Sequence, residues 1–438
     1  HHAVGLADVL AKPPQFRTTQ DDPGNYNIFD FSIDAELKSA PDLSGTPGAQ
    51  NSVFAATSPP AVHEVHHAPL TPRSWEPVTV IAAVDDPQGV GTVELAYQVC
   101  PPGGYIPATL PLTVWQILAN PRQELPVNPA FEAPANWTLI PMKDDGSVPG
   151  DVAGDGIFTA QAPVRAHRTL VRYRIVASDL SGVNVRVPSA DDPRKNYAYY
   201  VYDGVPTYLA GEQLFTPSQL TSIPVYHWIT RNTDLSRLLA YNGSEQFSNG
   251  IALNSLLARR YYNFEGALVV DGQVIDHAEI RLRGGNSRYA SINTSSNFGK
   301  RHFRFRFPKG TALEAKDEDG RPYPTPWEDM LFNKQFGNKG YYDWGLPYEV
   351  GGHLWRLQGI PMPESHWVHF RVVQGSSEAP SPTAGDFWGL YQALEFPDGK
   401  NFLDARDLPR GNFYKMSDFI QNGEMDERYQ APSSVDFA

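Results

Sequence analysis

The sequence predicts a multidomain, β-rich protein: an all-β sandwich over 61–203 followed by an α+β domain over 204–438. Three observations predict it. Gly (36) and Pro (39) are abundant among the 438 residues, aromatic residues reach 12% and charged residues only 19%. The last figure falls below the roughly 25% of an average soluble protein, and the balance favours strands and loops. Apolar residues alternate with period two between about 61 and 203, with turn signals between the runs. From 204 onward, strand-like runs mix with helix start and stop signals. The length itself suits two or three domains of roughly 100–200 residues each.

Residues 1–60 lack sustained periodicity, carry Asp21-Asp-Pro-Gly24 and run out through Ser44-Gly-Thr-Pro-Gly-Ala-Gln-Asn-Ser52, so they read as the tail of a preceding module plus a linker. Beyond them, Val93, Leu95, Tyr97 and Val99 alternate with Glu94, Ala96 and Gln98, and Val171, Tyr173, Ile175 and Ala177 alternate with Arg172, Arg174 and Val176. Period two is the signature of strands with one buried face. Asp85-Asp-Pro-Gln-Gly89, Asp144-Asp-Gly146, Gly154-Asp-Gly156 and Asp179-Leu-Ser-Gly182 supply the turns. Short strands, regular turns and no helical stretch indicate a β-sandwich of the immunoglobulin or fibronectin type.

Two features of this region bear on metals. The loop Lys143 to Gly156 gathers Asp144, Asp145, Asp151 and Asp155 among glycines. Calcium takes six to eight hard oxygens, which such a loop can supply, but Asp-Gly pairs are also ordinary turn chemistry. His63, His66 and His67 form a second cluster, flanked by Pro59, Pro60, Pro69 and Pro72. A neutral-imidazole site needs ligands held on a rigid frame, so the reading here is a strand or linker.

After 204, Ile223 to Trp228 reads as a strand and Thr233 to Ala240 as a short helix with Thr233 as N-cap. Phe264 to Val270, Val274 to Arg283 and His302 to Phe307 read as strands of one antiparallel sheet. Tyr348 to Leu357, closed by Gly359 and Pro361, reads as a helix with a glycine stop. His366 to Val373 and Trp388 to Phe396 return to strand.

Charge is segregated. Residues 281–310 hold Arg281, Arg283, Arg288, Lys300, Arg301, Arg304, Arg306 and Lys309 with no Asp or Glu, a local +8 in a chain of net charge −13. In Arg301 to Phe307 the phenylalanines fall on one face and His302, Arg304 and Arg306 on the other, so one side is expected to pack and the other to present cations. The preceding Arg281-Leu-Arg-Gly-Gly-Asn-Ser-Arg288 follows a strand and sets a Gly pair beside cations and small polar groups. Such a turn suits a phosphate, because its successive N–H groups form an anion-binding nest.

Taken in order, Ile223-Pro-Val-Tyr-His-Trp228, Ile280-Arg-Leu-Arg-Gly-Gly-Asn-Ser287, Gly299 to Phe307, Gly359-Ile-Pro-Met-Pro363, Phe387-Trp-Gly-Leu-Tyr-Gln-Ala-Leu-Glu395 and Asn412-Phe-Tyr-Lys415 resemble the spore-coat CotH family of atypical protein kinases across about 220–420. The segment 76–182 resembles the Ig-like accessory domains of secreted bacterial enzymes. The resemblance implies a kinase-like α+β domain, truncated in its C-terminal part, that moves phosphate from ATP, with Mg, to Ser or Thr of a protein. It implies that Arg283, Asn286 and Ser287 form the turn near the phosphates, that Lys300 or Arg301 neutralises them, and that Glu395 lies near adenine or ribose with Lys415 on the next strand. The loop here is Arg-Gly-Gly-Asn-Ser where the family has Arg-Gly-Asn-Ser-Ser, which leaves its register open by one residue. The family's catalytic and metal-binding aspartates lie further downstream, and Asp418 and Asp426 are poor substitutes, so the missing part is expected in a remainder of the same precursor. The alternative is a non-catalytic extracellular adhesion or scaffold protein that keeps the fold, in line with its 52 Phe, Trp and Tyr residues.

The acidic balance argues against nucleic acid as a general partner. A single cysteine, Cys100, excludes an intramolecular disulfide. No run approaches the ~20 apolar residues of a membrane helix. Composition and resemblance together give the expectation of a secreted or cell-surface bacterial protein acting on a protein substrate.

Overall fold

The computed structural model describes residues 58–120, 123–240, 262–283, 301–317, 319–334, 346–378, 385–397, 400–409, 413–416 and 425–429. Almost all of the predicted N-terminal segment lies outside them. The described residues are mostly in β-sheets, with few helices.

Strands β1 (Ala61–Ala68), β2 (Val78–Asp85), β3 (Val90–Cys100), β4 (Thr138–Pro141), β5 (Ile157–Ala162), β6 (Thr169–Asp179), β7 (Asn184–Val187) and β8 (Tyr197–Val201) build two sheets. One has the order β1-β2-β5; the other is β4-β3-β6-β7, with β8 on β6. Alternate residues of β2, from Val78 to Val84, meet Val93, Leu95, Tyr173 and Ile175 in a core shared by both sheets. Period-two burial holds on β2, whereas in β3, where the sequence shows the alternation, Ala96 and Gln98 of the second face are buried as well. The expectation of no helix does not hold, because the excursion after β3 contains α1 (Val114–Ala119) and α2 (Pro129–Glu132). Thr113 and Gln116 close a capping box on α1, a start signal that the alternation of the neighbouring strands overshadows.

Strand β6 departs furthest from expectation. Its second face is covered too: Arg172 is 0% and Arg174 3% exposed. Arg174 reaches Glu132 of α2 at 2.8 Å and stacks on Trp137 at 4.0 Å. Arg172 crosses into the second half of the chain. The helical excursion and the barrel described next bury the face that alternation assigns to solvent.

That second half begins with a hairpin of β9 (Tyr208–Ala210) and β10 (Gln213–Phe215) and a turn of helix, α3 (Pro217–Leu220). It continues with β11 (Val225–Ile229), α4 (Asn232–Ala240), β12 (Phe264–Val270), β13 (Gln273–Leu282), β14 (Phe303–Arg306), β15 (Asp329–Lys334), α5 (Leu346–Leu357), β16 (Ser365–Val373), β17 (Phe387–Glu395), α6 (Lys400–Asp404), β18 (Phe413–Met416) and β19 (Met425–Tyr429). Seven of these strands close a barrel in the order β11-β12-β13-β14-β15-β17-β16. Strands β12, β13 and β14 pair antiparallel, as expected, while β11 and β16 seal the ring in parallel. Closure leaves no edge in this sheet. Inside, Phe305 and Phe332 stand edge to face at 4.9 Å, as do Phe332 and Phe370 at 4.9 Å.

Sandwich and barrel share a third core, in which Cys100, Tyr105, Leu170 and Tyr200 pack on Ile229, Ala267, Val269 and Val373. Between β12 and β13 the register slips, so that Asp276 and His277 bulge opposite Ala267. A bulge re-aims side chains, and this one turns both towards β6. His277 takes a positive φ of 58°, where L-residues are strained. Gly266 admits the close approach, since a Cβ there would meet the Trp228 ring at 2.4 Å. Arg172 then grips Asp276 through Nε at 2.6 Å and Nη2 at 3.0 Å. Burial would raise the Asp276 carboxyl, but Arg172 and His277 outweigh it and hold it well below its usual range.

A second set of contacts clamps the junction. Arg168 donates to the Gly375 and Ser376 carbonyls at 2.9 and 3.0 Å and to Asp386 at 2.5 Å. Arg371 and His167 share Glu378 at 2.9 and 2.8 Å.

Replacing Arg172 with Met strands a buried carboxylate and is expected to cost about 3–5 kcal/mol in urea unfolding, with Asp276→Asn costing less in that background than alone. A second expectation concerns Asp386, whose carboxyl burial pushes up to about 6 despite Arg168 and Arg371. With the folded value above the unfolded 3.8, its contribution is fully present below that value and is lost as pH rises through about 6. In Asp386→Asn, the fall in stability over that window should flatten.

Candidate functional site

The antiparallel register of the barrel decides which residues share its rim. Leu282 faces Phe303, and Phe303 faces Phe332. One step further, Arg283, His302 and Asn333 therefore lie side by side, with the Arg283 amide donating to the His302 carbonyl at 2.9 Å. Arg301 and Lys334 come next along β14 and β15. Side chains alternate along a strand, so Arg301 keeps the inward parity of Phe303 and Phe305, and Lys334 that of Met330 and Phe332. Both cations sit at the mouth of the aromatic interior, 8% and 4% exposed respectively. Tyr391 of β17 pairs with Lys334 in register. Burial draws the Arg301 guanidinium below its ordinary value, against the opposing pull of Tyr391.

The outward neighbours are tied to α5. The Arg283 guanidinium donates to the Asn333 side-chain oxygen. The Gln392 amide, one residue along from Tyr391, donates to Glu349 of α5 at 2.7 Å, and the Ser365 hydroxyl donates to the same oxygen at 2.5 Å. His302 accepts the Lys334 amide at 3.2 Å through Nδ1. Burial, Arg283 and Lys334 lower its value to about 3, so the ring is neutral and adds a hydrogen-bonding surface rather than a charge.

Of the residues singled out from sequence, the structure places Arg283 and Arg301 at the same rim of the barrel, on opposite faces of its wall. Asn286, Ser287 and Lys300 lie outside the described residues. Glu395 stands elsewhere: it pairs with Met330 in register, four residues along β17 from Tyr391 and about 13 Å away at strand rise. There it accepts two bonds from Arg406, at 3.0 and 2.5 Å, and the Glu364 amide at 3.0 Å. Lys415 lies on β18, opposite Asp426 of β19. The face of β14 expected to present cations is neutralised by its neighbours, Arg306 by Glu279 at 2.7 Å and Arg304 by Asp329 at 3.2 Å. Lys334, Asn333, Glu349 and Gln392 escaped sequence reasoning. The signal for Lys334 was faint, a lysine ending the short apolar run Met330-Leu-Phe-Asn-Lys334.

In the aspartate loop the carboxylates hold backbone amides. Asp144 accepts the Gly154, Asp155 and Gly156 amides at 2.8, 3.1 and 3.1 Å. Asp151 accepts Asp145 and Gly146 at 3.0 and 2.6 Å, Asp145 accepts Ser147 at 2.9 Å, and Asp155 accepts Ile157 at 2.9 Å. His63, His66 and His67 all lie on β1, and His67 meets the Tyr173 hydroxyl at 3.0 Å. Among the described residues no group of three or more His, Cys, Asp or Glu is arranged to hold a metal ion.

No protein-family model matches the chain, and no curated protein matches it.

Asp144→Ala removes three amide hydrogen bonds and is expected to lower stability by about 1–3 kcal/mol in thermal unfolding.

Proposed function

We propose that the mouth of the barrel binds the phosphates of a nucleotide, and that this chain carries the nucleotide-side part of a secreted or cell-surface bacterial protein kinase of the CotH type. The observation that carries the reading is the inward placement of Arg301 and Lys334 at one end of the barrel, while Arg283 lies at the same rim on the outer face. Buried cations held on or beside rigid strands are costly to assemble and suit a polyanion, because phosphoryl transfer rests on positioning and charge neutralisation. The ordered motifs from Ile223 to Lys415 support ATP as the nucleotide and Ser or Thr of a protein as the acceptor. The two-sheet unit before the barrel is in this reading an Ig-like accessory domain.

The donors fit phosphate; the described residues around them do not fit Mg. Glu349, the carboxylate nearest in the hydrogen-bond chain, is engaged by Ser365, Gln392 and Arg356, the last at 3.8 Å. No catalytic step is assigned through the metal. A non-catalytic extracellular scaffold is the second reading. What favours it is Glu395, which Arg406 occupies at the far end of β17.

The test is binding of a fluorescent ATP analogue to the full chain, with and without Mg. Lys334→Met and Arg301→Met are each expected to weaken binding about tenfold or more, roughly 1.4 kcal/mol, with unchanged far-ultraviolet circular dichroism. Asp144→Ala should bind like the parent. A parent chain that fails to bind overturns the nucleotide reading and leaves the scaffold.

A further inference from the structure

We propose that His277 is a doubly protonated imidazolium that clasps the sandwich to the barrel, and that loss of its proton loosens the junction. The proton count follows from the ring's own hydrogen-bond partners and is independent of the nucleotide site. Nδ1 of His277 lies 2.6 Å from Glu265 Oε1, and Nε2 lies 2.8 Å from Asn196 Oδ1. A neutral imidazole has one donor and one acceptor, so it can satisfy both contacts only if one of these oxygen atoms belongs to a donor.

Neither does. The Asn196 amide is oriented by its other bonds: Nδ2 donates to the Tyr197 carbonyl at 3.0 Å and to Asp276 Oδ2 at 2.9 Å. Turning it over would set its oxygen against two acceptors, so Oδ1 faces the ring. Glu265 is saturated by donors, accepting the Ala108 amide at 2.7 Å, the Thr109 amide at 3.0 Å and the Thr109 hydroxyl at 2.8 Å. With donors already on both of its oxygens, it accepts throughout as the ionised carboxylate. Both ring nitrogens must therefore donate.

Charge balance agrees. The groups facing the ring are Glu265 from β12, Asp276 from β13, Arg172 from β6 beyond Asp276, and Tyr105, whose hydroxyl donates to Asp276 at 2.9 Å. The Phe131 ring of α2 meets the imidazole edge to face at 5.1 Å. Two buried carboxylates then stand against two cations, where a neutral ring would leave one carboxylate uncompensated. The ring is still within reach of water: a cleft of about 320 Å³, walled by His66, His67, Arg194 and Tyr197, touches both Asp276 and His277. Asn196 belongs to the sandwich and Glu265 to the barrel, so the ring bridges the two units.

The sign follows from the donor count: with the ring neutral only one of its nitrogens can donate, so the bond to Glu265 or the bond to Asn196 is lost and the junction is weaker than with both nitrogens protonated. The experiment uses the full chain labelled with nitrogen-15. Ring-nitrogen shifts at about pH 7, read by long-range correlation, are expected to show two protonated nitrogens for His277. Above about pH 7, beyond the window in which Asp386 contributes, the thermal midpoint should fall as pH is raised, and His277→Gln should flatten that fall. A ring with one bare nitrogen at that pH overturns the proposal, as does a His277→Gln curve with the parent's slope. The ring shifts come from the parent chain, so they decide the matter even where the variant fails to fold.

Discussion

The structure depends on the pairing of Arg172 with Asp276. A guanidinium with no exposed surface must find a carboxylate, and the carboxylate it finds comes from another sheet, 104 residues away. Asp276 reaches it only because β13 bulges there, and the bulge is tolerated because Gly266 leaves room beneath Trp228. Arg172 also lies over the Tyr105 ring at 4.5 Å and the Phe131 ring at 5.2 Å, so the excursion after β3 is anchored by the same cation. A buried ion pair is weak evidence for stability and better evidence for specificity. Here it selects one register of β13 and one docking of the sandwich on the barrel.

That docking changes what the sandwich does. Read from the sequence it is an accessory spacer, and spacers meet their neighbours through small polar contacts. The observed junction has its own apolar core and, on either side of it, the Arg172–Asp276 and Arg168–Asp386 clusters. The sandwich braces β11, β12, β13 and β16 from outside. The cationic mouth on β14, β15 and β17 belongs to the rest of the ring, so one side of the barrel is braced and another carries the site.

Much of the fold was legible. Phe264 to Val270 was read with its observed bounds, and α5 was read to its glycine stop, with Gly359 at a positive φ of 74°. These are local signals, periodicity and caps, and they survive folding. Arg172 and Arg174 were illegible because an alternating arginine looks the same whether it faces water or a buried carboxylate in another unit. Strand β15 was missed because it is short and follows the Pro-rich stretch Arg321-Pro-Tyr-Pro-Thr-Pro326. The site was half legible for the same reason. Arg283 and Arg301 stood out by charge, whereas Lys334 joins them only through the register of three strands, which composition does not carry.

The end and the middle of β17 show how a single strand separates structure from chemistry. At its C-terminal end Glu395 is consumed by Arg406, and its backbone neighbour Glu364 is drawn into the same ion cluster by Arg356 at 3.5 Å. Midway along it, Tyr391 pairs with Lys334 where β15 ends, with the polar layer of Asn333, Gln392 and Glu349 outside it. An aromatic interior of low polarity strengthens any charge interaction made at its mouth. Because closure of the barrel fixes Lys334 on a strand and Arg301 two residues before one, a ligand there would meet cations already in place, and little ordering would remain for binding to supply.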